Sequence, residues 1–326
     1  MCGRRRQGPR QPIPHHIGPL GHGEATAFLS LQSGESCDIS ARLSPAYGIA
    51  VSAITMLRCS SLRLAPAMTA ILDNKNPSAA SVFRPSALLR EARRQKGLAA
   101  VDVPSICILD PDGDIVRQLR RTGAARPFEG WPCYHTTLDT FALAEQTVGI
   151  VGCAVGAPFA VLVAEQLFAC GCRLLLSITS AGQITAAGNP PYFVIIDRAL
   201  RDEGTSYHYA APSDYSEADA RLVATALAAL EAKGLHAIVG SSWTTDAPFR
   251  ETAEAIEAAQ SKGVLAVEME AAALYAFAKS TGARVLCLAH VTNTMGQLGQ
   301  DFEKGEAEGT SDALQILATI VRSSEV

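Results

Sequence analysis

From about residue 84 onward, two patterns of apolar positions alternate along the chain. Continuous Val/Ile/Leu/Cys runs without period-two alternation predict buried strands at SICILD (105–110), TVGIVGCAV (147–155), RLLLSITSAG (173–182), YFVIIDRAL (192–200), LHAIVGSSWTT (235–245), GVLAVEME (263–270) and ARVLCLAHVTNT (283–294). Helical spacing with glycine stops predicts helices at 85–97, 156–171, 216–234, 271–282 and 311–324. Strands apolar on both faces need cover on both sides, so the pattern implies an α/β sandwich with a mostly parallel or mixed sheet. Ligands in such sheets bind beyond the strand carboxyl ends. Those ends read DPDGD, AVGAP, TSAGQ, SSWTTDAP, VEME and HVTNT, and they are expected to converge on one site.

The first 66 residues do not share this pattern. They hold seven arginines, no lysine and three acids, among Gly/Pro/Ser clusters. The expectation is a disordered basic head, or a true start at Met68, ahead of a single catalytic domain over 67–326. The N-terminal MCGRRRQGPR is followed by no apolar core, so it does not read as a secretory signal. No apolar run reaches the roughly 18 residues of a membrane span. A net charge of −4 over 326 residues lacks the basic excess of a general nucleic-acid binder. The nine cysteines are odd in number and irregularly spaced, mostly within apolar runs, which fits buried thiols of a reducing cytoplasm. Cys170-x-Cys172 has neither redox nor zinc spacing, and no metal site is expected.

Two motifs carry chemistry. GIVGCAVGAP places its glycines at Gly149, Gly152 and Gly156, which is not the dinucleotide-binding spacing. VEME places Glu268 and Glu270 two apart at the end of an apolar strand, on one face. Either Glu270 caps the helix that follows, or it accepts hydrogen bonds from a diol such as the hydroxyls of a ribose.

VEMEAAALYAFAKSTGARVLCLAHVTN resembles the signature region of the nucleoside phosphorylase family, which spans purine nucleoside phosphorylases, uridine phosphorylases and hydrolytic nucleosidases. VGAPFAVLVAEQL, SITSAG, RDEGTSYHY and SSWTTDAPFRET follow in family order, and RPFEGW resembles a uridine phosphorylase segment. The resemblance covers roughly residues 100–320. It implies a three-layer α/β/α sandwich on a twisted central sheet. It also implies cleavage of a ribosidic N–C bond by phosphate as co-substrate, with no cofactor, in nucleoside salvage. A homo-oligomer, dimer or trimer of dimers, is implied as well.

Carried over residue by residue, Glu270 matches the acid that grips the ribose, with Met269 packing on the sugar and Glu268 and His208 near it. Ser180 and Thr179 match the phosphate loop, with Gly113 and Arg117 in DPDGDIVR and Arg126 lent by a neighbouring subunit. Thr245, Asp246 and Arg250 fall in the base-facing segment. Two positions depart from the family. Ser177 stands where phosphorylases carry a phosphate-binding arginine, and serine cannot supply that charge. Asn293 stands where purine enzymes carry an acid, and an amide cannot protonate a leaving base. The expectation is phosphorolysis of a pyrimidine-type nucleoside, with Glu270 and Asn293 as its catalytic pair. A hydrolytic nucleosidase and a non-catalytic nucleoside-binding protein are the alternatives.

Overall fold

The computed structural model describes residues 70–295 and 304–324, apart from the Glu306 side chain, so the readings of the head lie outside the described residues. After helix α1 (Pro85–Lys96), strand β1 (Ile106–Asp110) leads into α2 (Asp114–Arg121). Three strands follow: β2 (Arg126–Pro127), β3 (Asp139–Leu143) and β4 (Gln146–Gly152). Helix α3 (Ala157–Ala169) precedes β5 (Leu174–Gln183), β6 (Tyr192–Asp202) and β7 (Tyr215–Glu217). Then come α4 (Ala220–Glu231), β8 (Ile238–Thr245), α5 (Ala253–Ser261), β9 (Ala266–Glu268), α6 (Ala271–Thr281), β10 (Val285–Asn293) and α7 (Thr310–Ser323).

The strands form one mixed sheet. β1 runs parallel to both β4 and β5, and β3 and β2 extend the edge in antiparallel pairing. At the other end the sheet closes on itself. β5 pairs with β10, β10 with β6, β6 with β8, β8 with β9, and β9 returns to β5. This ring gathers the ends of β5, β9 and β10 at one place, where an open sheet would have spread them apart.

Alternate residues of the buried strands face different helix layers. Cys107 and Leu109 of β1 pack in a cluster with α1, α3 and α6, while Ile106 and Ile108 pack with α2, α4 and α7. A smaller cluster joins α5 to Trp243, Ile184 and Val267. β1 and β10 are buried along their whole length, as their unbroken apolar runs imply.

Helix α6 is the central brace. All seven residues from Ala271 to Phe277 are buried, and the helix stops at Gly282, which adopts the left-handed conformation (φ 72°). Its Tyr275 hydroxyl donates to the Ile196 carbonyl (2.6 Å) and accepts from the Cys287 N–H (2.9 Å), bridging β6 and β10.

Five elements were not legible from periodicity. α2 is only eight residues long, with Ile115, Val116 and Leu119 buried among five polar positions. β2 and β3 sit at the sheet edge, β7 is three residues long, and α5 buries only Ala259. Each carries too few apolar positions for a period to register. The strand expected over 263–270 ends at Glu268, because the chain turns there into α6. Glu268 and Glu270 therefore do not share a strand face. Cys153 departs from the expected burial of the thiols. It is exposed, at φ 62°, in the loop after β4, while the other described cysteines are buried. No helix among the described residues is long and apolar enough to cross a membrane.

Candidate functional site

The site grows from the loops after β1, β4, β5, β9 and β10. Asp110, buried at the end of β1, accepts from the N–H groups of Gly113 (3.1 Å) and Val116 (2.9 Å), so it fastens the start of α2. Burial pushes its carboxyl up to about 7, partly opposed by those same N–H donors. Gly113 has φ 76°, and a Cβ there would stand 2.5 Å from the Cys153 Sγ and 2.9 Å from the Arg117 guanidinium. Glycine is required at this position on both counts.

One turn on, Arg117 is exposed and pairs with Asp114, also donating to the Asp112 carbonyl (3.0 Å). Lys304 pairs with the same Asp114. The Asp112 side chain reaches across to β5, where its Oδ2 accepts from the Ser180 N–H at 2.6 Å. A cleft lined by Asp110, Asp112, Asp114, Ser180, His290 and Lys304 lies beside this contact. Carboxylates dominate its wall.

The two VEME acids take different roles. Glu268 is buried and accepts from four donors: the Ser242 hydroxyl (2.9 Å), the Thr244 hydroxyl, and the N–H groups of Glu270 and Ala271 (both 2.7 Å). It thus caps α6 and ties it to β8, and no acceptor capacity is left pointing at a sugar. The helix cap considered for Glu270 belongs instead to Glu268. Burial raises the carboxyl of Glu268, against the pull of its four donors.

Glu270 is also buried, with 1% exposure, but its Oε1 alone is held, by the Gly156 N–H at 2.7 Å. Its Oε2 has no hydrogen-bond partner among the described residues. Burial pushes this carboxyl up to about 8, and the charges of Glu268 and Asp112 add to the effect. The Gly156 N–H and the nearby Thr179 hydroxyl favour the ionised form. A buried acceptor with an idle oxygen is costly unless a ligand donor meets it. Met269, half-buried, sits between the two acids.

Asn293 ends β10, paired with Gly182 of β5. Its amide donates to the Ala181 carbonyl (3.4 Å) and the Thr292 hydroxyl (3.3 Å), and accepts from the Met295 N–H (2.9 Å). The amide is engaged at both ends within the chain. His290, also on β10 and opposite Ser180 of β5, stacks on Phe193 with ring centroids 4.4 Å apart. Burial lowers its imidazole to about 4, so it is neutral at physiological pH.

The structure thus gathers Gly113, Arg117, Thr179, Ser180, Met269, Glu270 and Asn293 around one set of strand ends. Thr245 ends β8, and Asp246 and Arg250 follow it, with Asp246 accepting from the Gly204 N–H (2.9 Å). That bond tethers them to the segment carrying His208, which is exposed and hydrogen-bonded to Lys75 (3.2 Å). Arg126 lies exposed on β2, at the far edge of the sheet, with no ion pair among the described residues. Sequence reasoning did not single out Asp110, Asp112 or His290. DPDGD read as a turn, and nothing local announces that its second acid crosses to another strand. His290 carried one available signal, a histidine interrupting an apolar strand just before a polar end.

Among the described residues no cluster of His, Cys, Asp or Glu is arranged to hold a metal ion. With this geometry established, comparison with known proteins gives a consistent picture. A family model described as "Phosphorylase superfamily" matches residues 105–322. A uridine phosphorylase of Thermococcus kodakarensis is 27% identical over 192 residues, covering 52% of this chain and 67% of that one. A DeoD-type purine nucleoside phosphorylase of Oceanobacillus iheyensis is 28% identical, covering 54% and 77%. A guanosine phosphorylase of Halorubrum lacusprofundi is 26% identical, covering 49% and 68%.

Proposed function

Since the chain belongs to the phosphorylase superfamily, we propose that it cleaves the N-ribosidic bond of a nucleoside with inorganic phosphate, releasing free base and ribose 1-phosphate. The observation that carries this reading is the idle Oε2 of Glu270, buried beside an Oε1 already fixed by Gly156. Held in one orientation, the carboxylate is preorganised to accept from vicinal sugar hydroxyls, with Met269 against the ring.

In the reaction the C1′–N bond breaks and its electron pair leaves with the base. Positive charge develops on the ribosyl group, and a phosphate oxygen attacks C1′. An ionised Glu270 beside the ribose stabilises that charge as well as placing the sugar. Phosphate is assigned to the Thr179–Ser180 stretch of β5, past its pairing with β1, with Arg117 at the rim. Ser177, at the register position beside Cys287 and Leu109, is buried and supplies no charge there.

The base is assigned to the side of Asn293 and the Thr245–Arg250 segment. An amide at 293 cannot protonate a purine, which favours a pyrimidine-type leaving group whose charge rests on carbonyl oxygens. The relatives include purine, guanosine and uridine enzymes, so the pyrimidine assignment rests on Asn293 and not on them. Arg126, too distant on its own sheet edge, is assigned to the site of a partner copy across a two-fold contact.

A second reading is hydrolysis, favoured by Ser177 and by the acidic wall of the cleft. The test is incubation with a panel of nucleosides, with and without phosphate, following base, ribose and ribose 1-phosphate. Phosphate-dependent ribose 1-phosphate supports phosphorolysis. Free ribose, unchanged by saturating phosphate, overturns it in favour of hydrolysis.

A further inference from the structure

The Ser180 N–H is the point at which the phosphate assignment and the structure meet, and another group of the chain already holds it. The Asp112 carboxylate accepts that N–H at 2.6 Å. Its position is fixed from both sides. Asp110 pins the turn by accepting from Gly113 and Val116, and the Asp112 carbonyl accepts from Arg117. A backbone N–H on β5, just past the last residue paired with β1 and engaged by an oxygen of an anionic group, presents the donor geometry that a phosphate oxygen would use.

The surrounding charge reinforces the competition. Arg117 is spent on Asp114, and Lys304 on the same carboxylate. Ser177 is neutral, and Asp110 and Glu308 add acidic groups to the wall of the cleft. The field of Asp112 also reaches Glu270, where it helps to raise that carboxyl. A phosphate anion therefore enters against like charge and must displace an internal carboxylate.

Resting on the phosphate assignment above, we propose that Asp112 is a specificity-determining residue for the nucleophile: its carboxylate occupies the anion-accepting N–H of Ser180 and sets how tightly phosphate is held. The residue does not take part in bond making. It tunes the concentration of phosphate at which the enzyme works.

The test uses Asp112→Asn and Asp112→Ala in the full chain. Asparagine keeps an oxygen for the Ser180 N–H but removes the charge, and alanine frees the N–H as well. Binding of inorganic phosphate is measured directly by calorimetry, without nucleoside. The KM for phosphate is measured separately, with folding checked by circular dichroism. The expected order of phosphate affinity is wild type, then Asp112→Asn, then Asp112→Ala, with the last about tenfold or more tighter than wild type. The KM for nucleoside is compared at pH 9, above the Glu270 midpoint of about 8, where loss of the Asp112 charge no longer alters the ionisation of that carboxylate, and it should stay within about twofold.

Equal phosphate binding by all three proteins overturns the proposal, as does the absence of binding in all three. Loss of phosphate binding in Asp112→Ala overturns it in the opposite sense, by making Asp112 part of the site. The calorimetric result stands even if the wild type proves to be a hydrolase. Failure of the phosphorolysis reading would appear as free ribose in the product assay, whereas failure of this proposal would appear in the phosphate isotherm.

Discussion

Replacing Glu270 by Gln tests the ribose assignment most sharply, because it changes charge with almost no change of shape. The side-chain carbonyl can still accept the Gly156 N–H that now meets Oε1 at 2.7 Å. The idle Oε2 becomes an amide donor, which cannot accept from a sugar hydroxyl. A hydrogen bond to a charged group contributes about 1.5–3 kcal/mol, so kcat/KM should fall about 10- to 150-fold. Where both hydroxyls of a diol share the carboxylate, the loss lies at the upper end.

The same variant has a signature in pH. Burial raises the wild-type carboxyl from 4.5 to about 8, so the folded protein holds this proton where the unfolded chain has lost it. A raised carboxyl stabilises the fold fully below the unfolded pKa, and that contribution is lost as pH rises through about 8. The shift corresponds to about 3–5 kcal/mol, and each kcal/mol moves Tm by roughly 2–4 °C in a domain of this size. Across pH 5 to 8.5, the Tm of Glu270→Gln should therefore decline less steeply than that of wild type, by several degrees. Steady-state kinetics with the best nucleoside, together with thermal melts at both pH values, make the assay. Wild-type kcat/KM should climb toward a midpoint near 8 as Glu270 ionises, and the Gln variant should lack that limb. Activity in the variant within twofold of wild type would refute the ribose role, and parallel Tm slopes would refute the burial argument.

Three further outcomes are expected. Tyr275→Phe removes a hydroxyl that serves both the Ile196 carbonyl and the Cys287 N–H, and leaving those buried groups unpaired should cost about 1–3 kcal/mol in chemical denaturation. Asp110, raised to about 7 by burial, stabilises the fold below about pH 4 and loses that contribution as pH approaches 7, so between pH 4 and 7 the Tm of Asp110→Asn should fall less, or rise more, with pH than that of wild type. If Arg126 completes a partner's site, light scattering at micromolar concentration should give at least a dimer. Arg126→Ala should then raise the KM for phosphate while leaving assembly intact, and an active monomer would exclude the shared site.

The sequence alone determined the class of fold and the region of the site, because both rest on local chemistry. Continuous apolar runs such as VLCLAHV can be satisfied only by a sheet covered on both faces, and β10 is buried throughout. The strand ends are polar because they leave the core, so DPDGD, TSAG, VEME and HVTN were identifiable as candidate loops. The local pattern also showed that something acidic follows β9. It could not separate the two acids, since Glu268 and Glu270 differ in what reaches them from elsewhere. Ser242 and Thr244 arrive on β8 and saturate Glu268, while α3 brings only the Gly156 N–H to Glu270. Closure of the ring from β5 through β9, β8, β6 and β10 is likewise a long-range property, invisible to any window along the chain. The Asp112 contact with Ser180 joins residues 68 apart, and only the parallel pairing of β1 with β5 brings them together. Periodicity reports which side of an element avoids water. Which oxygen a donor reaches, and which is left idle, is decided by elements that meet only in the folded chain.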